Sequence, residues 1–124
     1  CRIDVETMLG VEPGQIHVIR NAGGLVTQDT IRTLTASQRS LGTEYVMLIQ
    51  HTDCGMSKTD DEEFLAELEK DTGQRPTWRP GGFKDVRESV RNDMKKLLDS
   101  PFVGGTVRGF VLDVKTARLE EVSL

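Results

Sequence analysis

YVMLIQHTDCGM, residues 45–56, sets a near-continuous apolar run directly against a histidine and a cysteine. Tyr45 to Gln50 has the length and composition of a strand buried on both faces. His51 and Cys54 follow just past its carboxyl end, where ligands bind in open α/β sheets. Imidazole and thiolate are the donors that a borderline-soft ion such as Zn2+ prefers. Two readings of this His-x-x-Cys pair stand side by side. One is half of a metal site, which for a catalytic zinc needs a third protein ligand from elsewhere. The other is a hydrogen-bonded strand-end histidine beside a cysteine that packs as a small hydrophobe.

Outward from this stretch, strands and helices alternate. On the amino-terminal side, TQDTIRTLTASQRSLG (27–42) is a helix, capped by Thr27 or Asp29 and stopped by Gly42. Before it, IHVIR (16–20) is a short β-branched run that predicts a strand, followed by the Gly-rich bend NAGG (21–24). RIDVETMLG (2–10) predicts a short helix with Asp4 as N-cap, Val5, Met8 and Leu9 on one face, and Gly10 as the stop.

On the carboxyl side, DDEEFLAELEKDTG (60–73) opens with acidic residues that suit a helix dipole, with Phe64, Leu65 and Leu68 facing inward. RPTWRPGG (75–82) is a loop in which Trp78 is expected to anchor packing. FKDVRESVRNDMKKLLDSP (83–101) is the most regular helix, with a stripe of Val86, Val90, Met94, Leu97 and Leu98. VRGFVLDV (107–114) and RLEEV (118–122) close the chain as a hairpin. The pattern predicts an α/β fold: a mostly parallel central sheet flanked by helices, with a C-terminal antiparallel hairpin.

The bulk composition narrows the partners. The chain has 124 residues, 36% hydrophobic and 29% charged, with a net charge of −4 and both signs dispersed. That suits one domain with a modest core. It gives no basic footprint for nucleic acid and no stripe or span for a membrane. Two cysteines are too few for a disulfide framework, and a reducing, cytoplasmic setting is expected. NAGG is either an anion cradle built from backbone N–H groups or a tight strand-to-helix turn; it lacks the dinucleotide fingerprint. His17, inside the predicted strand, reads as structural.

Taken in order and spacing, RIDV, HVIRNAGG, D-T-I-R-x-L-x-x-S, LGT and HTDCGM resemble the β-class carbonic anhydrases, and the likeness runs from Arg2 through RPTW to RGFVLDV. The resemblance implies that His51 and Cys54 bind zinc. The family's other zinc residues lie in a Cys-x-Asp-x-Arg motif on its first strand, where Asp and Arg form a dyad. Reading Cys1 as that ligand would need Asp at position 3 and Arg at position 5, where this chain has Ile3 and Val5. The other alignment puts Arg2 on the dyad arginine, keeps IDV after it, and leaves Cys1 on the variable residue before it. The ligand cysteine, the dyad aspartate, the first strand and an N-terminal dimer arm are then expected upstream of residue 1, and residues 1–124 make a single domain lacking that arm and strand.

The resemblance implies reversible hydration of carbon dioxide to bicarbonate by a zinc-bound hydroxide, in a homodimer. Arg2 would hold the dyad carboxylate ionised, Gly55 would let the substrate anion approach, Asp53 would orient a ligand or face solvent, and Asn21 to Gly24 would shape the cleft. Two alternatives share the residues: a carbonyl sulfide or carbon disulfide hydrolase on the same fold, and a non-catalytic remnant serving as scaffold or anion-binding module.

Overall fold

The computed structural model describes residues 3–124; Cys1 and Arg2 lie outside the described residues. Helix α1 (Val5–Leu9) is capped by the Asp4 side chain, which accepts from Thr7 N, and ends at Gly10 in a left-handed conformation. A 3-10 turn (Ala22–Gly24) leads to α2 (Gln28–Leu41), where Thr27 and Thr30 exchange hydrogen bonds as a capping box. Strand β1 (Tyr45–His51) follows, then a second 3-10 turn (Gly55–Lys58), α3 (Asp61–Thr72) and α4 (Val86–Asp99). Strands β2 (Thr106–Asp113) and β3 (Arg118–Val122) complete the order.

The sheet order is β1-β2-β3. β1 and β2 are parallel, from Tyr45 opposite Thr106 to His51 opposite Leu112. β2 and β3 form the expected antiparallel hairpin. Helix α4 lies across all three strands, and its stripe of Val90, Met94 and Leu97 forms the core with Val26, Leu48, Val103, Val111 and Val122. Val90 and Leu97 are fully buried, each stabilising the fold by about 1.5–3 kcal/mol. The crossing is so close at Gly109 that a Cβ there would stand 2.4 Å from Met94 Sδ and 2.6 Å from Val90 Cγ1. Glycine at this point of β2 is what lets the helix descend onto the sheet.

Several expectations change. Ile16 to Arg20, predicted as a strand, carries no strand pairing, and Val18 and Ile19 are exposed. β-Branched residues stabilise a strand only against a paired, half-covered neighbour, and no neighbour pairs with this segment among the described residues. β1 is not buried on both faces either. Leu48 and Gln50 point into the core toward α4, while Tyr45 (75% exposed) and Met47 lie on the open face. Phe64, placed inside α3, and Leu98, placed in the α4 stripe, are both exposed. Trp78 is 57% exposed and so does not anchor packing within this chain. Helix α4 starts at Val86 rather than Phe83, because Asp85 accepts from the N–H groups of Arg87 and Glu88 and fixes the N-cap there.

Candidate metal centre at the end of β1

The hydrogen bonds of β1 run on past its last residue. Thr52 N donates to the Leu112 carbonyl at 2.9 Å, and Thr52 Oγ1 accepts from Val114 N at 3.1 Å. These bonds pin the HTDC turn to the end of β2. Asp53 then takes a positive φ of 52°, which an aspartate tolerates better than most residues, and the chain reverses into the 3-10 turn at Gly55. Ser57 closes the turn by donating twice to the Cys54 carbonyl, from N at 3.0 Å and from Oγ at 2.6 Å.

This local geometry sets the chemistry of the two candidate ligands. His51 Nδ1 is 2.7 Å from the Thr52 carbonyl oxygen. A carbonyl only accepts, so Nδ1 carries the proton and Nε2 keeps its lone pair. Cys54 is a free cysteine, 6% exposed. A nitrogen lone pair and a thiol thus share one strand-end turn, and this donor set fits zinc. They supply two donors. Among the described residues, no group of three or more His, Cys, Asp or Glu side chains is gathered for a metal.

Both residues line a groove of about 540 Å³ that runs between the open face of β1 and the segments 3–9 and 16–24. Gly55 and Met56 border it, as do all four residues of NAGG. Its walls are largely apolar: Ile3, Val5, Val18, Ile19, Met47 and Ile49. Gly55 is exposed, and a Cβ built there meets nothing within 4 Å, so the chain itself does not require glycine at that position.

The remaining site residues fall as follows. Arg2 lies outside the described residues. Asp53 does not line the groove; its carboxylate is 3.1 Å from Lys58 Nζ and largely exposed, so it faces solvent. The hydrogen bond from Lys58, then the charge of Lys58, holds Asp53 below the usual carboxylate range. His17 Nδ1 lies 2.6 Å from Ser37 Oγ of α2, which ties the 16–20 segment to that helix; the residue also borders the groove, and the segment is not a strand. Asn21 bonds both N–H and C=O of Leu25 and so folds NAGG as a turn. Two polar residues next to the site went unnoticed in the sequence, Gln50 and Asp93. Both had a visible signal: Gln50 ends an apolar run, and Asp93 sits three after Val90 and four before Leu97, on the buried face of its helix.

Residues 1–119 match the family model for carbonic anhydrase. The chain belongs to the β-class carbonic anhydrase family. It is 48% identical over 125 residues to beta-carbonic anhydrase 1 of Mycobacterium tuberculosis, covering 99% of this chain and 77% of that protein. The crystal structure of carbonic anhydrase from Streptococcus mutans superposes with a TM-score of 0.91 at 37% identity, over 98% of this chain and 75% of that one. A carbon disulfide hydrolase of an Acidianus strain is 29% identical over 147 residues, covering 97% of this chain and 72% of that protein. That alignment is longer than the chain itself, so the hydrolase carries segments that this carbonic anhydrase family member lacks.

Proposed function

We propose that the chain supports zinc-dependent, reversible hydration of carbon dioxide to bicarbonate. The observation that carries this reading is the strand-end turn itself, where the Thr52 carbonyl leaves His51 Nε2 free as a donor beside the buried free thiol of Cys54. When bound, zinc supplies Lewis acidity, which makes water a nucleophile near neutral pH. His51 Nε2 and Cys54 Sγ would hold the ion. The partly buried side chains of Ile3, Val5 and Ile49 present an apolar wall to a small nonpolar molecule. Gly55 leaves space in which the product anion can lie against the backbone. Arg2 pairs with a dyad carboxylate and holds it ionised. The proton released on hydration leaves to buffer.

In this reading the third protein ligand, the dyad aspartate, a further strand and the N-terminal arm precede Cys1 in a longer chain, and residues 1–124 form the rest of one domain. Two facts support it: the chain spans 77% of the mycobacterial relative, and β1 is an edge strand among the described residues. The protein acts as a homodimer in the cytoplasm. The exposed apolar residues Val18, Ile19, Tyr45 and Met47 are of the kind a partner surface covers, and Cys54 serves only while reduced. No helix among the described residues is long and apolar enough to cross a membrane.

The carbon disulfide hydrolase relatives and the apolar groove favour one second reading, hydrolysis of carbon disulfide by the same donors. Native mass spectrometry, counting zinc on this chain and on a chain extended by a Cys-x-Asp segment, tests the site. Stopped-flow CO2 hydration and sulfide release from carbon disulfide then test the substrate. One zinc on the extended chain with CO2 turnover is the expected result. Sulfide release without CO2 turnover moves the reading to the hydrolase, and no zinc on either chain overturns both.

A further inference from the structure

Asp93 is the one carboxylate among the described residues that the fold buries, 3% exposed on α4, and nothing in the proposed chemistry uses it. Its bonds converge on the site from the far side of the sheet. Oδ2 accepts from Val26 N at 3.1 Å and from Gln50 Nε2 at 3.1 Å, and Oδ1 lies 3.3 Å from Lys96 Nζ. Gln50, 1% exposed, is the residue immediately before His51, and its Nε2 also donates to the Gly24 carbonyl at 3.3 Å. Both neighbours of that amide are acceptors, so the NH2 group must face them. The orientation leaves Gln50 Oε1 buried with no hydrogen-bond partner among the described residues. An orphaned buried oxygen is a cost to stability, and so is a buried carboxylate whose ammonium partner is mostly in solvent.

We infer that Asp93 is a positioning residue for the metal centre, acting through Gln50 on the end of β1 and on the 22–24 turn. Gly24 packs so tightly on β1 that a Cβ would stand 2.7 Å from the Ile49 carbonyl oxygen. A Cβ at Gly23 would stand 3.1 Å from Met56 Cγ, two residues past Cys54. One carboxylate therefore ties the core helix to the strand that ends in His51 and to the turn that leans on the segment after Cys54. An apolar residue at position 93 would fill the core without this tie. The metal-binding half of the inference rests on the carbonic anhydrase reading; the strut itself does not.

Three variants separate positioning from stability. Asp93→Asn keeps an oxygen where Oδ2 lies, so Val26 N and Gln50 Nε2 keep their acceptor, while Lys96, mostly in solvent, loses its partner because an amide NH2 cannot accept from it. Asp93→Ala removes the acceptor. Val90→Ala deletes buried carbon from the same helix and touches neither Gln50 nor Val26 N through a hydrogen bond. The metal-free readout is the ¹⁵N pattern of the His51 imidazole, and the second is Zn2+ affinity by competition with a chromophoric chelator. Asp93→Ala is expected to mix the two imidazole tautomers and to weaken zinc by about tenfold or more, as loss of a ligand-orienting contact does. Asp93→Asn is expected to restore both, and Val90→Ala to lower the melting temperature with both unchanged. The inference is overturned if Asp93→Ala leaves the imidazole pattern intact, or if Val90→Ala changes it equally. Should the chain extended by the Cys-x-Asp segment take up no zinc, the carbonic anhydrase reading loses support and the imidazole pattern alone judges the strut.

Discussion

At the scale of single residues, the proton on His51 Nδ1 and the open space at Gly55 matter most. The Thr52 carbonyl fixes the first, and with it the ring nitrogen that can face a metal. Cys54 offers a buried sulfur that makes no disulfide. Replacing it by serine changes one atom, so Cys54→Ser is expected to keep its circular dichroism spectrum. On the chain extended by the Cys-x-Asp segment, zinc bound should fall at least tenfold; zinc retained at the level of the extended parent would remove Cys54 from the ligand set. Gly55→Ala separates substrate approach from folding. Nothing lies within 4 Å of the added methyl, so its stability in urea should stay within about 0.5 kcal/mol of the parent. If Gly55 gives the product anion its approach, as proposed above, a several-fold loss in kcat/KM for CO2 is expected; an unchanged value would remove Gly55 from the site. His51 and Cys54 stand out in the sequence as candidate ligands because an imidazole and a thiol fall three positions apart at a strand end. Helical spacing signals that Asp93 is buried but not what it holds, because its partners Val26 and Gln50 are 67 and 43 positions away in the chain.

At the scale of elements, the caps at Asp4 and Thr27 and the glycine stops were legible, while the cap at Asp85 and the coverage of each face were not. Asp4, Thr27, Asp60 and Asp85 each bond their own first helical turn, and Gly10, Gly42 and Gly73 each end a helix in left-handed geometry. Both devices act within a few residues, so the local sequence can carry their signal. Whether Ile16 to Arg20 pairs, or Phe64 and Leu98 are covered, depends on what lies opposite, which the local sequence does not encode. The closing hairpin adds a pH dependence of its own. Arg108 donates to both carboxylate oxygens of Glu121, at 2.8 and 2.7 Å, and stands over the Phe110 ring. These hydrogen bonds, then the guanidinium charge, hold Glu121 below its ordinary value. A lowered folded value means the pair stabilises the hairpin above the unfolded pKa of about 4.3 and loses that effect as pH falls through the folded value. Glu121→Gln should therefore melt slightly below the parent at neutral pH, with the gap closing on acidification below about pH 4. A gap that stayed constant down to pH 2 would show that the charge contributes nothing. The effect is small because both groups face solvent.

At the scale of the whole molecule, one helix organises the fold. Helix α4 covers β1, β2 and β3, and Leu97, fully buried, sits within its stripe. Leu97→Ala is expected to cost about 2–5 kcal/mol in urea unfolding. A loss under 1 kcal/mol would mean that the core collapses onto the gap. The α/β class and the hairpin were readable from alternating periodicities: among the described residues β1 and β2 pair in parallel and β2 and β3 form the antiparallel hairpin. The parallel pairing has a consequence for synthesis. Tyr45 meets Thr106, 61 positions further along the chain, with α3 and α4 made in between. On the ribosome, at about 5–20 residues per second, β1 waits roughly 3–12 s for β2 to be polymerised. Throughout that interval Val46, Leu48 and Ile49 of the nascent chain lack their β2 partner, which makes this stretch a natural point of contact for chaperones that bind extended apolar segments.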